Sequence, residues 1–239
     1  MCIRDRCYYL IGDDMKNNSF TKNILKLLLS FLIFFESSTI RSILISIFKI
    51  KKKTPGTLTA LSFGVNIIIL ILLFIIFRKD IIKEFKIFKD NISDNIDTGL
   101  KYWMLGLAGM MISNIIITFI LKGGGASNEE AVQKMINSAP LFMIINAGII
   151  APINEELLFR KNFRNVFKNN ILFILVSGIF FGYMHVAGST SLTQWLYIIP
   201  YSSLGISFAV MYNKTNTVFT SITMHSIHNT ILTILSILV

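Results

Sequence analysis

The segment APINEELLFR (151–160) sets two carboxylates, Glu155 and Glu156, side by side in an otherwise apolar stretch. On a helix, neighbours point about 100° apart, whereas residues four apart share a face. Glu156 can therefore pair with Arg160, leaving Glu155 for another partner. FFGYMHV (180–186) puts Phe181 and His185 four apart on one face, and MHSIHN (224–229) does the same with His225 and Asn229. His228 lies close to that last face and is read as a structural histidine. Asn146 and Asn154, on the glutamate segment, are read as bridges between helices. Hydrolysis of a peptide bond needs an activated water and donors for the oxyanion that forms. A desolvated Glu155 with His185 can polarise the water, and His225 with Asn229 can supply the donors. Glu156, Arg160 and Phe181 would support them. No cofactor is required in this scheme. The alternative is zinc held by Glu155, His185 and His225 with one open position. No H-E-x-x-H pair stands on one helix, and asparagine is a poor zinc ligand. Each group also has a bland reading: a helix end reaching the headgroups for the glutamates, and a satisfied core or interfacial residue for each histidine.

The elements that must position these groups are apolar helices. Runs such as Leu58 to Phe77 and Trp103 to Leu121 match a ~30 Å hydrocarbon layer. Spans are expected over 24–48 (interrupted by Glu36 and Arg41), 58–77, 102–121, 139–160 (with Pro152 as a kink), 171–186, 192–212 and 217–239. The fold is thus an all-α, polytopic membrane bundle of about seven to eight transmembrane helices. Lys79 to Ile96 alternates Ile and Phe with charges at helical spacing and is expected to lie at the interface. Residues 122–137 read as a Gly-rich polar loop and 161–169 as a basic one. Loop charge places the N-terminus, 78–101 and 161–169 inside, with only Lys49 to Lys53 in conflict. Either 24–48 is a hairpin or re-entrant element broken at Glu36–Arg41, or the charge rule fails locally, and the sequence leaves both open. Counted from the ends of their spans, Glu155, His185, His225 and Asn229 lie roughly 14–25 Å deep, at similar height near mid-membrane.

Three regions follow: a non-native or disordered tail (1–14), N-terminal membrane helices (15–138) and a catalytic core (139–239). The opening MCIRDR resembles a translated sequencing adapter, and Met15 begins a basic lead-in. Of the 239 residues, 53% are hydrophobic and 15% charged, against about a quarter charged in soluble domains. The net charge of +10 sits between apolar runs, where anionic lipid headgroups draw it, so nucleic acid is not a partner. The two cysteines, Cys2 and Cys7, imply neither a disulfide framework nor a metal cluster.

The ordered motifs Glu155-Glu156-x-x-x-Arg160, Phe181-x-x-x-His185 and His225-x-x-x-Asn229 resemble those of the CAAX protease and bacteriocin-processing (Abi) family of intramembrane proteases. The resemblance covers roughly residues 139–239. It implies Glu155 as catalytic glutamate, His185 as water-activating histidine, and His225 with Asn229 as oxyanion pair. It implies an integral protein of a bacterial membrane, acting on a peptide or membrane-anchored protein, but does not carry over the prenylated substrate. Two other functions compete. One is a non-catalytic bacteriocin-immunity or peptide-binding protein on the same fold. The other is a transporter, for which an inverted repeat would be expected and none is seen.

Overall fold

A computed structural model describes residues 4–52 and 54–238, with side chains from Phe20 onward. The expectation for residues 1–14 falls on side chains outside the described residues. Among the described residues every regular element is helical. In chain order these are α1 (Arg4–Phe35), α2 (Ser37–Ile47), α3 (Pro55–Asp90), α4 (Ile92–Leu121), α5 (Ser127–Ser138), α6 (Pro140–Val166), α7 (Asn170–Val186), α8 (Ile198–Thr215) and α9 (Val218–Leu238). A 3₁₀ turn, Leu192–Tyr197, leads into α8.

By length and composition, four helices can cross a membrane: α3, α4, α6 and Leu192–Thr215. A fifth is added if Phe20–Phe35 and Ser37–Ile47, bent by 49° at Glu36, form one broken span. That break falls where the Glu36–Arg41 interruption predicted it. By this measure four or five of the expected seven to eight spans are found among the described residues. Of the remaining expected spans, α7 is apolar but has only 17 residues. The last, α9, has 21, with Thr220, His225, His228 and Asn229 diluting its apolar character. The outward faces are greasy: Ile112, Ile115, Phe119 and Ile120 of α4 are all exposed, as an integral membrane protein requires.

Three expectations are corrected. The 79–96 stretch does not form one helix of its own: α3 runs through it to Asp90, and α4 starts at Ile92. The reason is a stripe every four residues, Leu61, Val65, Ile69, Leu73, Phe77 and Ile81, all buried, which continues one inward face past the apolar run. The polar 122–137 loop is helical from Ser127 onward, with Glu129 and Glu130 in its first turn, where carboxylates favour a helix N-terminus. The 161–169 loop is helical through Val166, and Lys161 is buried.

The second half packs closely. A Cβ on Gly178 of α7 would lie 2.6 Å from the backbone nitrogen of Ile206 on α8, so only glycine admits this approach. Gly148 of α6 likewise faces Thr230 of α9, where a Cβ would stand 3.4 Å from its Cα. These contacts hold α7 on α8 and α6 on α9, and so fix the three helices that bear the motifs, α6, α7 and α9.

Candidate active site

The glutamates sit on α6 next to an irregularity. Two π-helical turns, Asn146–Ile150 and Glu156–Lys161, flank the α-helical Ala151–Glu155. Proline at 152 has no N–H and crowds the carbonyl four residues back, so a wider turn just before it relieves the conflict. The second turn makes residues 156–163 buried without interruption. Pro152 therefore stands beside a widened turn, and α6 continues as one helix. Asn154 donates to the carbonyl of Asn66 at 2.9 Å, and Asn66 donates to Asn146 Oδ1 at 2.9 Å. The two asparagines thus bridge α6 to α3, as their setting suggested.

Glu156 and Arg160 are both fully buried, with Nε 3.2 Å from Oε2. The guanidinium lies over Phe181, 4.6 Å from its centroid, and near Phe208 at 5.7 Å. The other oxygen, Glu156 Oε1, is 2.9 Å from His225 Nδ1. His225 is stacked on Phe208 (4.7 Å, 23°), and its Nε2 stands 3.8 Å from Glu155 Oε2. His225 therefore bridges both carboxylates, a link that spacing alone did not suggest. Breaking such a buried pair leaves an uncompensated charge, which fixes these groups in place.

His185 Nδ1 lies 2.8 Å from the carbonyl of Phe181, one turn earlier. A carbonyl only accepts, so Nδ1 carries the proton and the Nε2 lone pair is free. The ring is stacked on Tyr201 (4.5 Å, 27°) and packs on Phe181 at 4.4 Å. Asn229 donates one amide hydrogen to the Ala147 carbonyl at 3.1 Å. Glu155, Phe181, His185, His225 and Asn229, from α6, α7 and α9, line one cavity of about 530 Å3. Glu155 and Asn229 keep partial exposure to it, and Glu155 Oε2 has no hydrogen-bond partner among the described residues.

Four features were not anticipated. Tyr201 holds His185 in place, and α5 closes the cavity with Asn128, Glu129 and Gln133. Burial raises the Glu129 carboxyl above its ordinary value, partly offset by a hydrogen bond from the Tyr201 hydroxyl at 3.5 Å. His228, read as structural, lines the cavity as well. Away from the cavity, Lys161 donates to Glu84 Oε1 at 2.5 Å, and Tyr212 donates to the same oxygen at 2.7 Å. Glu84 Oε2 accepts the backbone N–H of Val218 at 2.8 Å, capping the start of α9. The signal for Glu84 was its position one turn beyond Ile81 on the buried stripe.

Among the described residues no three His, Cys, Asp or Glu side chains are gathered closely enough to hold an ion. His225 and His185 each give Nδ1 to a protein acceptor and turn Nε2 away from it. Glu155, His185 and His225, the residues of the zinc alternative, are not drawn into such a three-ligand set.

Residues 137–231 match the family described as "Type II CAAX prenyl endopeptidase Rce1-like". The chain is 26% identical over 186 residues to "Putative membrane peptidase YdiL" of Bacillus subtilis (strain 168), covering 76% of this chain and 72% of that one. It is 27% identical over 142 residues to "UPF0177 protein YxdF" of Lactococcus lactis subsp. lactis (strain IL1403), covering 57% and 77%. It is 30% identical over 110 residues to "UPF0177 protein in abiGi 5'region" of Lactococcus lactis subsp. cremoris, covering 46% and 45%. No solved structure is a significant match.

Proposed function

We propose that this Rce1-like membrane protein is an intramembrane endopeptidase that cleaves a peptide or membrane-anchored protein with a metal-free, activated water. The observation that carries the reading is the gathering of Glu155, His185, His225 and Asn229, from three helices, around one cavity. Its support beneath the cavity is the buried Glu156–Arg160 pair.

Water enters between Glu155 and the free Nε2 of His185. The carboxylate takes its proton as the oxygen attacks the scissile carbonyl carbon. The carbonyl π pair moves onto oxygen, where His225 and Asn229 donate hydrogen bonds. To donate from Nε2, His225 must hold a second proton, because its Nδ1 hydrogen is already given to Glu156. Two carboxylates flank the ring and balance the charge that this second proton brings. Asn229 keeps one of its two amide hydrogens free for the same oxygen. When the intermediate collapses, the C–N bond breaks and the proton on Glu155 passes to the leaving amine. Arg160 and Phe181 hold Glu156 and the two histidine rings in register.

The test is proteolysis by protein reconstituted in lipid vesicles, with Glu155→Gln as the variant. Loss of cleavage with retained fold supports the reading. Cleavage at the wild-type rate by Glu155→Gln removes it.

A further inference from the structure

Resting on the peptidase reading, we propose that His228 is a further donor in this cavity, presenting an Nε2–H to a substrate carbonyl, with its tautomer set by Trp103. From α9, His225, His228, Asn229, Leu232, Thr233 and Ser236 all line the cavity. Their spacing makes one continuous stripe along the helix. His228 is buried, at 5% relative exposure, yet it is part of this wall. No hydrogen bond to Nε2 is made within the described residues, and Nε2 is not one of the sealed, unpartnered atoms, so it is open to the cavity, where a ligand can meet it.

The chemistry of the other nitrogen fixes what the ligand meets. Trp103 Nε1 donates to His228 Nδ1 at 3.4 Å, with the rings nearly perpendicular at 79°. An indole N–H is a donor only, so Nδ1 must offer a lone pair. A doubly protonated ring has none to offer. His228 is therefore neutral with its hydrogen on Nε2.

The other two histidines are arranged oppositely. His185 gives its Nδ1 hydrogen to the Phe181 carbonyl, and His225 gives its own to Glu156. In their neutral forms both turn a lone pair, not a hydrogen, away from those partners. Of the three histidines in the chain, His228 alone supplies an N–H without first taking up a proton. That suits it to hold a ground-state carbonyl and the oxyanion that follows, while His185 keeps its basic nitrogen for water. Trp103, on α4, is a positioning residue that acts through His228.

Three histidines make the test simple. Protein labelled with 15N at histidine, in detergent micelles, is expected to show one neutral Nε2–H ring, absent in His228→Gln and shifted toward mixed tautomers in Trp103→Phe. A His228 ring protonated on Nδ1, or on both nitrogens at neutral pH, overturns the proposal. Turnover of a library of internally quenched peptides in proteoliposomes provides the second measurement. His228→Phe keeps the volume but loses the donor, and should lower kcat by on the order of 10²-fold with KM little changed. His228→Gln, which keeps an N–H donor, should stay within roughly tenfold of wild type, an order-of-magnitude allowance for an imperfectly placed donor. Trp103→Phe should slow the wild type but add nothing to His228→Gln. Equal loss in the Phe and Gln variants, or no loss in either, overturns the proposal. A wild type that cleaves nothing overturns the peptidase reading instead. The tautomer measurement, which needs no substrate, separates that failure from one at His228.

Discussion

Replacing Glu84 tests how α9 is anchored. Its carboxylate receives Lys161 at 2.5 Å and Tyr212 at 2.7 Å on one oxygen, and the Val218 N–H at 2.8 Å on the other. Both side chains of the ion pair are at least nine-tenths buried. Removing one member of such a pair costs about 3–5 kcal/mol, because the remaining charge stays buried and unmatched. Glu84→Ala should therefore lower the unfolding temperature by roughly 6–20 °C, at about 2–4 °C per kcal/mol for a chain of this size. Lys161→Met should cost less, since Glu84 keeps Tyr212 and Val218 as donors and Asp80 retains Lys26 at 3.5 Å. In the double variant position 161 no longer carries a charge, so the two losses should fall short of their sum by about 2–3 kcal/mol. Thermal unfolding in detergent, followed by tryptophan fluorescence, gives all four corners of the cycle. Strict additivity would refute the pairing. A Glu84→Ala protein as stable as wild type would refute the whole cluster.

Arg160→Lys should abolish proteolysis although charge is kept, because lysine lacks the flat guanidinium that lies over Phe181 and Phe208; full activity in that variant would show the stacking to be incidental. Strong chelators should leave cleavage unchanged, and inhibition reversed by added zinc would contradict the metal-free scheme. Glu129 has a raised folded-state value, so the folded protein holds more protons than the unfolded chain just above the ordinary glutamate range. Stability should fall as pH rises through that interval, and Glu129→Gln should remove this part of the slope in unfolding curves taken across pH. A slope unchanged by the substitution would place the titration elsewhere.

The helical class and the residues of the candidate site were legible because charge inside an apolar run is costly and so stands out. Glu155, His185, His225 and Asn229 were identified by spacing and do line one cavity. The partnerships were less legible. Spacing paired Glu156 with Arg160 correctly, but the contact of His225 with both glutamates depends on the crossing of α9 over α6, which no local pattern encodes. The reach of α3 was masked because Lys79 to Asp90 reads as a surface segment, whereas the buried stripe ending in Ile81 and Glu84 continues through it. Lys161 looked like a loop cation because its partners, Glu84 and Asp80, lie more than 75 residues away, as does the Trp103 that fixes His228. The helix α5 was hidden by the glycines before it, and its inward residues became visible only with the cavity they close.

The most direct test compares the membrane proteomes of cells carrying the wild type and Glu155→Gln at equal abundance. An uncleaved precursor should accumulate, and its new termini vanish, in the Glu155→Gln cells. Identical peptide termini in the two samples would contradict a catalytic Glu155 and leave a binding role for the same cavity.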